Sequence, residues 1–334
     1  MASLKDVAKL AGVSPSTVSK VLSGRYKLSP QCTSRVMDAV RQLDYQPNII
    51  GRSLRSSQSQ AVLLVCSVFV REIMTGVHHA ARELGYDVIS MLVDPGEDES
   101  YLKYLENGLA GGVIFINYRH NPEKLARVAG RYPLVQCSEF VEMANSSQVS
   151  VDNNQAVYEL TSALIARGRR RFAFVNSAEV RGHVPFFAQE REKGFRRALE
   201  QHKMPYYPQL TLRTEAGHDY RDFVALADTF IKLPPGKRPD AVVCISDLVG
   251  AAFVNAFVQA GISVPDKMAV TGFDNTLFST VCTPQLTTVE QPFFEMGAEA
   301  MRLLAGSIAG EQTVNRKILL QHTLVARGST PPLM

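Results

Sequence analysis

The spacing of apolar residues near the start of the chain predicts short helices. Apolar side chains recur at helical intervals at Leu4, Val7, Ala8 and Ala11. Gly12 then follows as a helix stop, and a second helix is expected to run from Pro15 to near Gly24 with Ser14 as its N-cap. Two short helices joined by a glycine-containing turn form a helix-turn-helix.

A third helix is predicted from Ser29 or Pro30 to Leu43, with Val36, Ala39 and Val40 facing inward. The second helix turns Pro15, Ser16, Ser19 and Lys20 outward. Serine and lysine side chains can reach base edges in a major groove, which is wide enough for one helix. A helical hairpin used only for packing is the alternative interpretation.

From residue 61 the pattern changes to apolar runs separated by helical stretches. The runs are AVLLVCS, YDVISMLV, GGVIFIN, PLVQCSE, RFAFVNS, QLTLRT, AVVCIS and MAVTGFD. Helices are expected up to Leu84 and over 97–109, 122–130, 154–167, 188–202, 218–232 and 248–260. Continuous apolar strands between helices indicate parallel sheets covered on both faces. The fold class is therefore an all-α helix-turn-helix headpiece plus an α/β body of two doubly wound parallel-sheet subdomains, with ligand expected at the carboxyl ends of the strands.

Charge separates the two parts. Residues 1–60 carry nine lysines and arginines against three aspartates, a net charge of +6, whereas the whole chain carries +4. The rest of the chain is therefore slightly acidic, and only the basic first part favours a polyanionic partner. A solvated basic face would explain the charge alone equally well.

Composition places the chain among globular proteins. It has 334 residues, 46% of them hydrophobic and 20% charged, which suits two or three domains. No apolar run approaches the roughly 20 residues of a membrane span, and the first residues lack the pattern of a signal peptide. The five cysteines are scattered, so we expect a reduced, cytoplasmic setting.

Motifs for catalysis or cofactor binding are missing from the sequence. It contains no GxSxG or HExxH, and no glycine-rich phosphate loop follows the first strand. His78 and His79 are adjacent, so on a helix they project about 100° apart and do not converge on one metal. We therefore expect no enzyme activity, cofactor or metal. A sugar- or nucleotide-processing enzyme with a DNA-binding head is the rival hypothesis, and turnover of a bound ligand would establish it.

Two segments of the N-terminal region resemble a known family. They are LKDVAKLAGVSPSTVSKVLSG and YQPNIIGRSLR, which look like the headpiece and hinge of the lactose/galactose repressor family. By that resemblance Pro15, Ser16 and Lys20 read bases. Most members have Arg at the position of Lys20, so we expect a different or a weaker base preference here. The DNA-binding residues that we predict are Ser3, Ser14, Pro15, Ser16, Thr17, Lys20, Lys27, Asn48, Arg52, Leu54 and Arg55.

The segment 46–58 is interpreted as the hinge. Pro47 ends the preceding helix, and Asn48 can cap a short new one. Leu54 lies between Arg52 and Arg55, where an apolar side chain suits a minor-groove wedge and the arginines suit phosphates. The family resemblance places its intercalating leucine at the same position. So short a helix is marginal alone, and we expect it to form when two hinges meet on DNA.

The resemblance also implies a body similar to periplasmic sugar-binding proteins. Such a chain crosses between subdomains three times, here expected near 166–168, 290 and 314. The predicted domains are the headpiece 1–45, the hinge helix and linker 46–59, an N-terminal subdomain of 60–166 with 291–314, and a C-terminal subdomain of 167–290 with 315–330.

Candidate effector residues follow from strand ends and from the resemblance. Asp247 comes directly after the strand AVVCIS, and Arg191 lies three residues before a Gly-Phe pair, as in the family. Helix capping is the alternative role for each. Asp274 also ends a strand, but a turn explains it equally well. The predicted effector-binding set is Phe69, Ser138, Arg191, Thr214, Asp247 and Phe293.

The effector and assembly are predicted only in outline. Sugar, sugar phosphate and nucleoside all stay open; the segments SEF and CTPQLTTVEQPFFEMGAEAM resemble cytidine-responsive members of the family. We expect a homodimer on a pseudo-palindromic operator, formed through helices in REIMTGVHHAARELG and FFEMGAEAMRLLAGSI unless these are ordinary core helices. The chain has no C-terminal leucine heptads, so no tetramer is expected. A binding protein with a non-specific basic anchor is a second rival, and equal affinity for random and selected duplexes would favour it.

Overall fold

The structure is a computed structural model that describes residues 2–23, 28–45, 59–94, 99–117, 122–179, 184–214, 219–311 and 315–333. The predicted DNA-binding residues that lie outside these ranges are Lys27, Asn48, Arg52, Leu54 and Arg55. The chain divides into two compact units, Met1–Gln60 with Glu106–Leu109, and Ala61–Leu105 with Ala110–Met334.

The first unit contains the three predicted helices, which are α1 (Leu4–Ala11), α2 (Pro15–Ser23) and α3 (Pro30–Gln42). Ser3 caps α1 in a capping box with Asp6, and Gly12 ends it in the left-handed conformation at φ 64°. One small core of Val7, Val18 and Val36, all fully buried, holds the helices together. The predicted helix-turn-helix is confirmed.

The second unit contains a six-stranded parallel sheet, in the order β11-β5-β4-β3-β1-β2. Its strands are β1 (Ala61–Cys66), β2 (Asp87–Leu92), β3 (Val113–Ile116), β4 (Leu134–Cys137), β5 (Ser147–Val151) and β11 (Lys317–Leu320). The accompanying helices are α4 (Arg71–Leu84), α5 (Leu102–Glu106), α6 (Pro122–Ala129), α7 (Asn153–Ala166) and α12 (Phe293–Ile308). Strands β1, β3 and β4 are buried along nearly their whole length, as their apolar sequences require.

A four-stranded parallel sheet follows, in the order β7-β6-β8-β9. Its strands are β6 (Phe172–Asn176), β7 (Thr211–Arg213), β8 (Ala241–Cys244) and β9 (Ala269–Thr271). The helices of this part are α8 (Phe186–Gln201), α9 (Tyr220–Ile231), α10 (Asp247–Gln259) and α11 (Phe278–Val281). An antiparallel pair, β10 (Thr288–Glu290) with β12 (Thr323–Val325), completes the fold. The two parallel sheets confirm the predicted fold class.

Three features differ from the sequence predictions. The helix expected over 97–109 is, in the described residues, only α5. Strand β5 was not predicted because its sequence SQVSV has no apolar run, although all five residues are buried. The third crossing between subdomains was expected near residue 314, and this position is wrong. Strand β11 still pairs with β5 in the first sheet, so the chain leaves that sheet only after Leu320.

Glycines allow α4 and α12 to pack closely. A Cβ atom on Gly297 would lie 2.0 Å from the carbonyl oxygen of Ile73, and one on Gly76 would lie 2.0 Å from that of Phe294. The buried residues of α4 and α12 are mostly apolar, so each helix packs as an ordinary core helix, which was one of the two roles predicted for it. Among the described residues, no helix is both long and apolar enough to cross a bilayer.

Candidate DNA interface and ligand cavity

Helix α2 presents a polar face to solvent. Pro15, Ser16, Ser19 and Lys20 are exposed, whereas Val18 on the opposite face is fully buried. The outward set predicted from the helical spacing is thus the exposed set. A face of this kind can enter a major groove without disturbing the small core behind it.

Hydroxyl groups cluster at the N-terminus of α2. Ser14 Oγ accepts the backbone N–H of Thr17 at 3.1 Å, which makes it the N-cap. The same oxygen lies 2.7 Å from Ser16 Oγ and 2.9 Å from Thr17 Oγ1. Hydroxyl donors at the positive end of a helix suit phosphate or base-edge acceptors. Ser3, by contrast, is engaged with Asp6 in capping α1, so the structure shows a structural role for it, and its DNA contact stays a prediction.

A cavity of about 1240 Å³ lies in the second unit, at the carboxyl ends of strands from both parallel sheets. All the sequence-predicted effector residues line it, namely Phe69, Ser138, Arg191, Thr214, Asp247 and Phe293. The structure therefore brings together residues that are up to 224 positions apart in the chain. This is the location that the strand-end rule for open α/β sheets predicts.

Arg191 is the buried cation of the cavity. Its Nε donates to Asn153 Oδ1 at 2.8 Å and its Nη1 to the carbonyl oxygen of Ile245 at 2.5 Å, while Nη2 lies 3.6 Å from Asp274 Oδ1. The guanidinium carbon lies 3.5 Å from the ring centroid of Phe273. Burial lowers the pKa of Arg191 to about 10, against the opposing effect of nearby carboxylates. The side chain is still charged at neutral pH and rigidly held.

Asp247 is almost completely buried at the start of α10, with 1% of its surface exposed. Its carboxylate accepts hydrogen bonds from the hydroxyl of Thr288 and from the backbone N–H and hydroxyl of Thr276. Burial and the neighbouring carboxylate of Asp274 raise the pKa of Asp247 to about 7. None of these hydrogen bonds caps the helix of Asp247 itself, so the capping alternative does not describe its side chain.

Asp274 lies beside Arg191 in the wall of the cavity, as its ion-pair partner at 3.6 Å. Its Oδ1 accepts a hydrogen bond from Gln291 Nε2 at 2.7 Å, and its backbone has the left-handed φ of 108°. Burial raises the pKa of Asp274, although Arg191 opposes the shift. Such a φ is strained for an aspartate. The sequence had left its role open between a turn and a site, and its side chain lies in the wall of the cavity.

Glu139 is a buried carboxylate that the predicted effector set does not include. It follows β4 in the first sheet, and its two oxygens accept the N–H groups of Phe186 (2.6 Å) and Phe187 (3.2 Å) at the start of α8. A carboxylate at a helix N-terminus is favoured by the helix dipole. This contact joins an element of the first sheet to a helix of the second, on one side of the cavity.

The remaining predicted residues form the less polar part of the wall. Phe69 is 65% exposed, which leaves its ring open for contact with a ligand. Phe293 is half-buried at the start of α12. Ser138 has a left-handed φ of 72°, and Thr214 is buried with its N–H donating to the carbonyl oxygen of Asn176 at 2.9 Å.

The residues missed by sequence reasoning are those that position others. Asn153 and Gln291 hold Arg191 and Asp274, and Phe273 packs against the guanidinium group. The position of Glu139 at a strand end was a usable signal. Asn153 and Gln291 gave no such signal. Asn153 is the first residue of α7 and Gln291 lies just before α12, where a polar residue is explained equally well by helix capping. In the described residues, no group of three histidine, cysteine or acidic side chains is placed to hold a metal ion.

Comparison with known proteins agrees with both parts of the structure. The model of the bacterial regulatory proteins of the lacI family matches residues 3–48, and the periplasmic binding protein-like domain matches residues 161–330. The transcriptional regulator DegA of Bacillus subtilis is 30% identical over 98% of this chain and 98% of its own.

Solved structures show the same similarity. A complex of the transcriptional regulator CelR with cellobiose has a TM-score of 0.72 and 29% identity, covering 98% of this chain and 100% of that one. The lac repressor dimer bound to operator and the anti-inducer ONPF has a TM-score of 0.82 at 22% identity, covering 98% and 99%, a likeness of fold.

A helix-turn-helix joined to a two-sheet body with a cavity at the strand ends defines a ligand-responsive DNA-binding regulator. The chain belongs to the lacI family of bacterial regulatory proteins. It is a transcription regulator and not an enzyme.

Proposed function

We propose that this regulator is a repressor that binds a pseudo-palindromic operator as a homodimer, with α2 of each headpiece in a major groove. A small ligand bound in the cavity changes the affinity for the operator. The observation that carries the proposal is the convergence of all six predicted effector residues on one cavity. A coupling of about 1–3 kcal/mol between ligand and operator would be typical.

The ligand is a sugar, a sugar derivative or a nucleoside. The buried Arg191 and Asp247 supply a donor and an acceptor for hydroxyl groups, and the exposed ring of Phe69 supplies an apolar face. The relative CelR, solved with cellobiose, supports a sugar. Ser138, Thr214 and Phe293 complete the proposed contact set.

Operator reading is assigned to the headpiece. Pro15, Ser16 and Lys20 contact bases, because they are exposed on α2. The hydroxyls of Ser14 and Thr17, with Ser3 on α1, contact the backbone. Beyond the described residues, the sequence assigns the wedge to Leu54 and phosphate contacts to Arg52 and Arg55, and Lys27 and Asn48 are further predicted DNA-binding residues.

The domain boundaries follow the predictions with one change. We propose a headpiece of 1–45, a hinge and linker of 46–59, an N-terminal subdomain of 60–166 with 291–320, and a C-terminal subdomain of 167–290 with 321–330. The dimer is proposed because a pseudo-palindromic site matches a two-fold axis, and because a relative of the same fold is a dimer on its operator. Its proposed target is operator DNA, and we therefore propose that the protein acts in the cytoplasm.

The test begins with the full-length protein and a random pool of duplexes. Rounds of selection at fixed salt should enrich one pseudo-palindromic sequence, and sugars and nucleosides are then screened for release or tightening of that duplex. Leu54→Ala should weaken binding to the selected duplex while sparing non-specific binding. Enrichment of no sequence, or equal specific affinity of the variant, would contradict the proposed DNA-binding mode.

A further inference from the structure

Carboxylates outnumber basic groups around the cavity. Among the described lining residues six side chains are acidic, namely Glu72, Glu139, Asp247, Asp274, Glu290 and Glu295. Three are basic, and all of these are arginines: Arg71, Arg191 and Arg327. A lining with this balance is an unfavourable environment for a negatively charged ligand.

The buried arginine is already engaged by the protein. Arg191 faces the carboxylate of Asp274 at 3.6 Å, and its Nε and Nη1 donate to Asn153 and to the carbonyl oxygen of Ile245. An anionic ligand at Nη2 would compete with Asp274 for the guanidinium group, whereas a neutral hydroxyl can accept from the remaining N–H groups without removing that carboxylate. Displacing Asp274 would leave a buried carboxylate without its cation, which is costly.

The helix N-termini at the cavity, which could otherwise bind an anion, also carry carboxylates. The first N–H groups of α8 are occupied by Glu139. The first turns of α4, α10 and α12 contain Glu72, Asp247 and Glu295 respectively. The N–H groups that begin α8 are therefore occupied within the protein, and Glu72 and Glu295 offset part of the positive potential at the starts of α4 and α12.

The other two arginines offer little to an anion. Arg71 pairs with the adjacent Glu72 at 2.8 Å and is mostly exposed. Arg327 donates to the carbonyl oxygen of Leu286 at 2.9 Å and to Asn275 Oδ1 at 2.7 Å. The cavity lining also contains two further carboxylates, Glu290 and Glu295, which add to its negative charge.

We infer that the cavity selects its ligand by charge: it accepts an uncharged or amino-substituted sugar or nucleoside and rejects phosphorylated or carboxylate-bearing ones. The inference rests on the proposed function, since it concerns the ligand of the same cavity. It removes sugar phosphates from the ligand classes that the sequence had left open.

The test is a library of matched compounds, each sugar or nucleoside being present as the neutral parent, its amino derivative and its phosphate. Binding to the full-length protein is followed by calorimetry and by operator release. Hits should be parents or amino derivatives, with each phosphate at least about tenfold weaker than its parent. A phosphate that binds more tightly than its parent would overturn the inference but keep the sensing function. Silence across the library would overturn both.

A charge variant tests the physical cause with inorganic phosphate as the probe. In Asp274→Asn the cation of Arg191 loses its partner, so phosphate should raise the melting temperature of this variant relative to chloride at equal ionic strength. Wild type and Asp228→Asn, a control on exposed α9 surface outside the lining, should show only the smaller rise that phosphate gives any protein as a stabilising salt. An equal rise in all three proteins would contradict the inference.

Glu295→Gln gives an independent check, because this residue is exposed and its replacement spares the core. The discrimination between a parent hit and its phosphate should fall by about twofold, the effect of one solvent-exposed charge. Unchanged discrimination in both Glu295→Gln and Asp274→Asn would show that the lining charges do not set ligand choice.

Discussion

Replacing Asp247 with asparagine should change how the stability of this protein depends on pH. The pKa of Asp247 is about 7 in the folded protein, against 3.8 for an ordinary aspartate. The folded state therefore binds a proton that the unfolded state has released between about pH 4 and 7. Stability contributed by this group is greatest at the acidic end of that window and is lost as the pH rises through 7.

The magnitude follows from the two pKa values. Between pH 5 and 8 the wild type should lose about 2–3 kcal/mol of unfolding free energy through this one carboxyl group. The limit over the whole window is about 4 kcal/mol, the difference of about three pH units multiplied by roughly 1.4 kcal/mol per unit. Asparagine cannot ionise, so Asp247→Asn should lack this slope, whatever its own stability.

Urea unfolding of both proteins at pH 5, 6, 7 and 8 measures the effect. The chain has no tryptophan, so circular dichroism is the suitable probe. Groups that titrate in both proteins cancel in the difference, and Asp228→Asn, an exposed aspartate on α9, should keep the wild-type slope. Equal slopes for wild type and Asp247→Asn would refute the reasoning. They would mean that the three hydrogen bonds from Thr276 and Thr288 outweigh burial and keep the carboxylate ionised.

Three further outcomes are expected. Gly297→Ala should lower the unfolding free energy by about 1–3 kcal/mol, because the added methyl group would lie 2.0 Å from a backbone oxygen. The control Gly236→Ala, where no atom lies within 4 Å of the added methyl group, should change it by no more than about 0.5 kcal/mol. Urea unfolding measures both. Arg191→Lys should weaken ligand binding by at least about tenfold in calorimetry, because Asn153 Oδ1 and the carbonyl oxygen of Ile245 lose their donors. Operator affinity without ligand should be unchanged. Full ligand affinity of the variant would contradict the role assigned to Arg191. Lys20→Arg should shift the selected operator toward guanine at one position in each half-site, and an unchanged consensus would exclude Lys20 from base reading.

Much of this architecture could be predicted because it is written in local patterns. Capping residues such as Ser14 and Ser29 and the stop at Gly12 mark the headpiece helices, and the structure begins and ends them there. Apolar runs likewise identify all four strands of the second sheet and four of the six strands of the first.

The elements that were missed are held by long-range contacts. Strand β5 is polar in sequence and is buried because its side chains bond to neighbouring segments, as Ser150 Oγ does to the carbonyl oxygen of Ser138 at 3.1 Å. Strand β11 belongs to the first sheet because it pairs with β5. The first residue of β11, Lys317, pairs with Gln148, which lies 169 residues earlier in the chain. No local pattern carries that information.

The cavity was predicted only in part, because its electrostatics also depend on long-range contacts. A strand end or a resemblance pointed to Arg191 and Asp247, and the structure brings them to one wall. The partners that set their charge state, Asp274, Asn153 and Thr288, are determined by the tertiary fold. Sequence reasoning located the groups and could not determine their electrostatics.

The most direct test of ligand-controlled DNA binding is one titration of the selected operator duplex, with and without the ligand found in the screen, for wild type and Arg191→Lys. Fluorescence anisotropy at fixed salt gives the four dissociation constants. We predict that the ligand changes the wild-type Kd by about 5- to 150-fold and leaves that of the variant nearly unchanged, while both proteins bind equally without ligand. A ligand that binds wild type without altering its operator Kd, or that alters both proteins equally, would contradict control of the operator through this cavity.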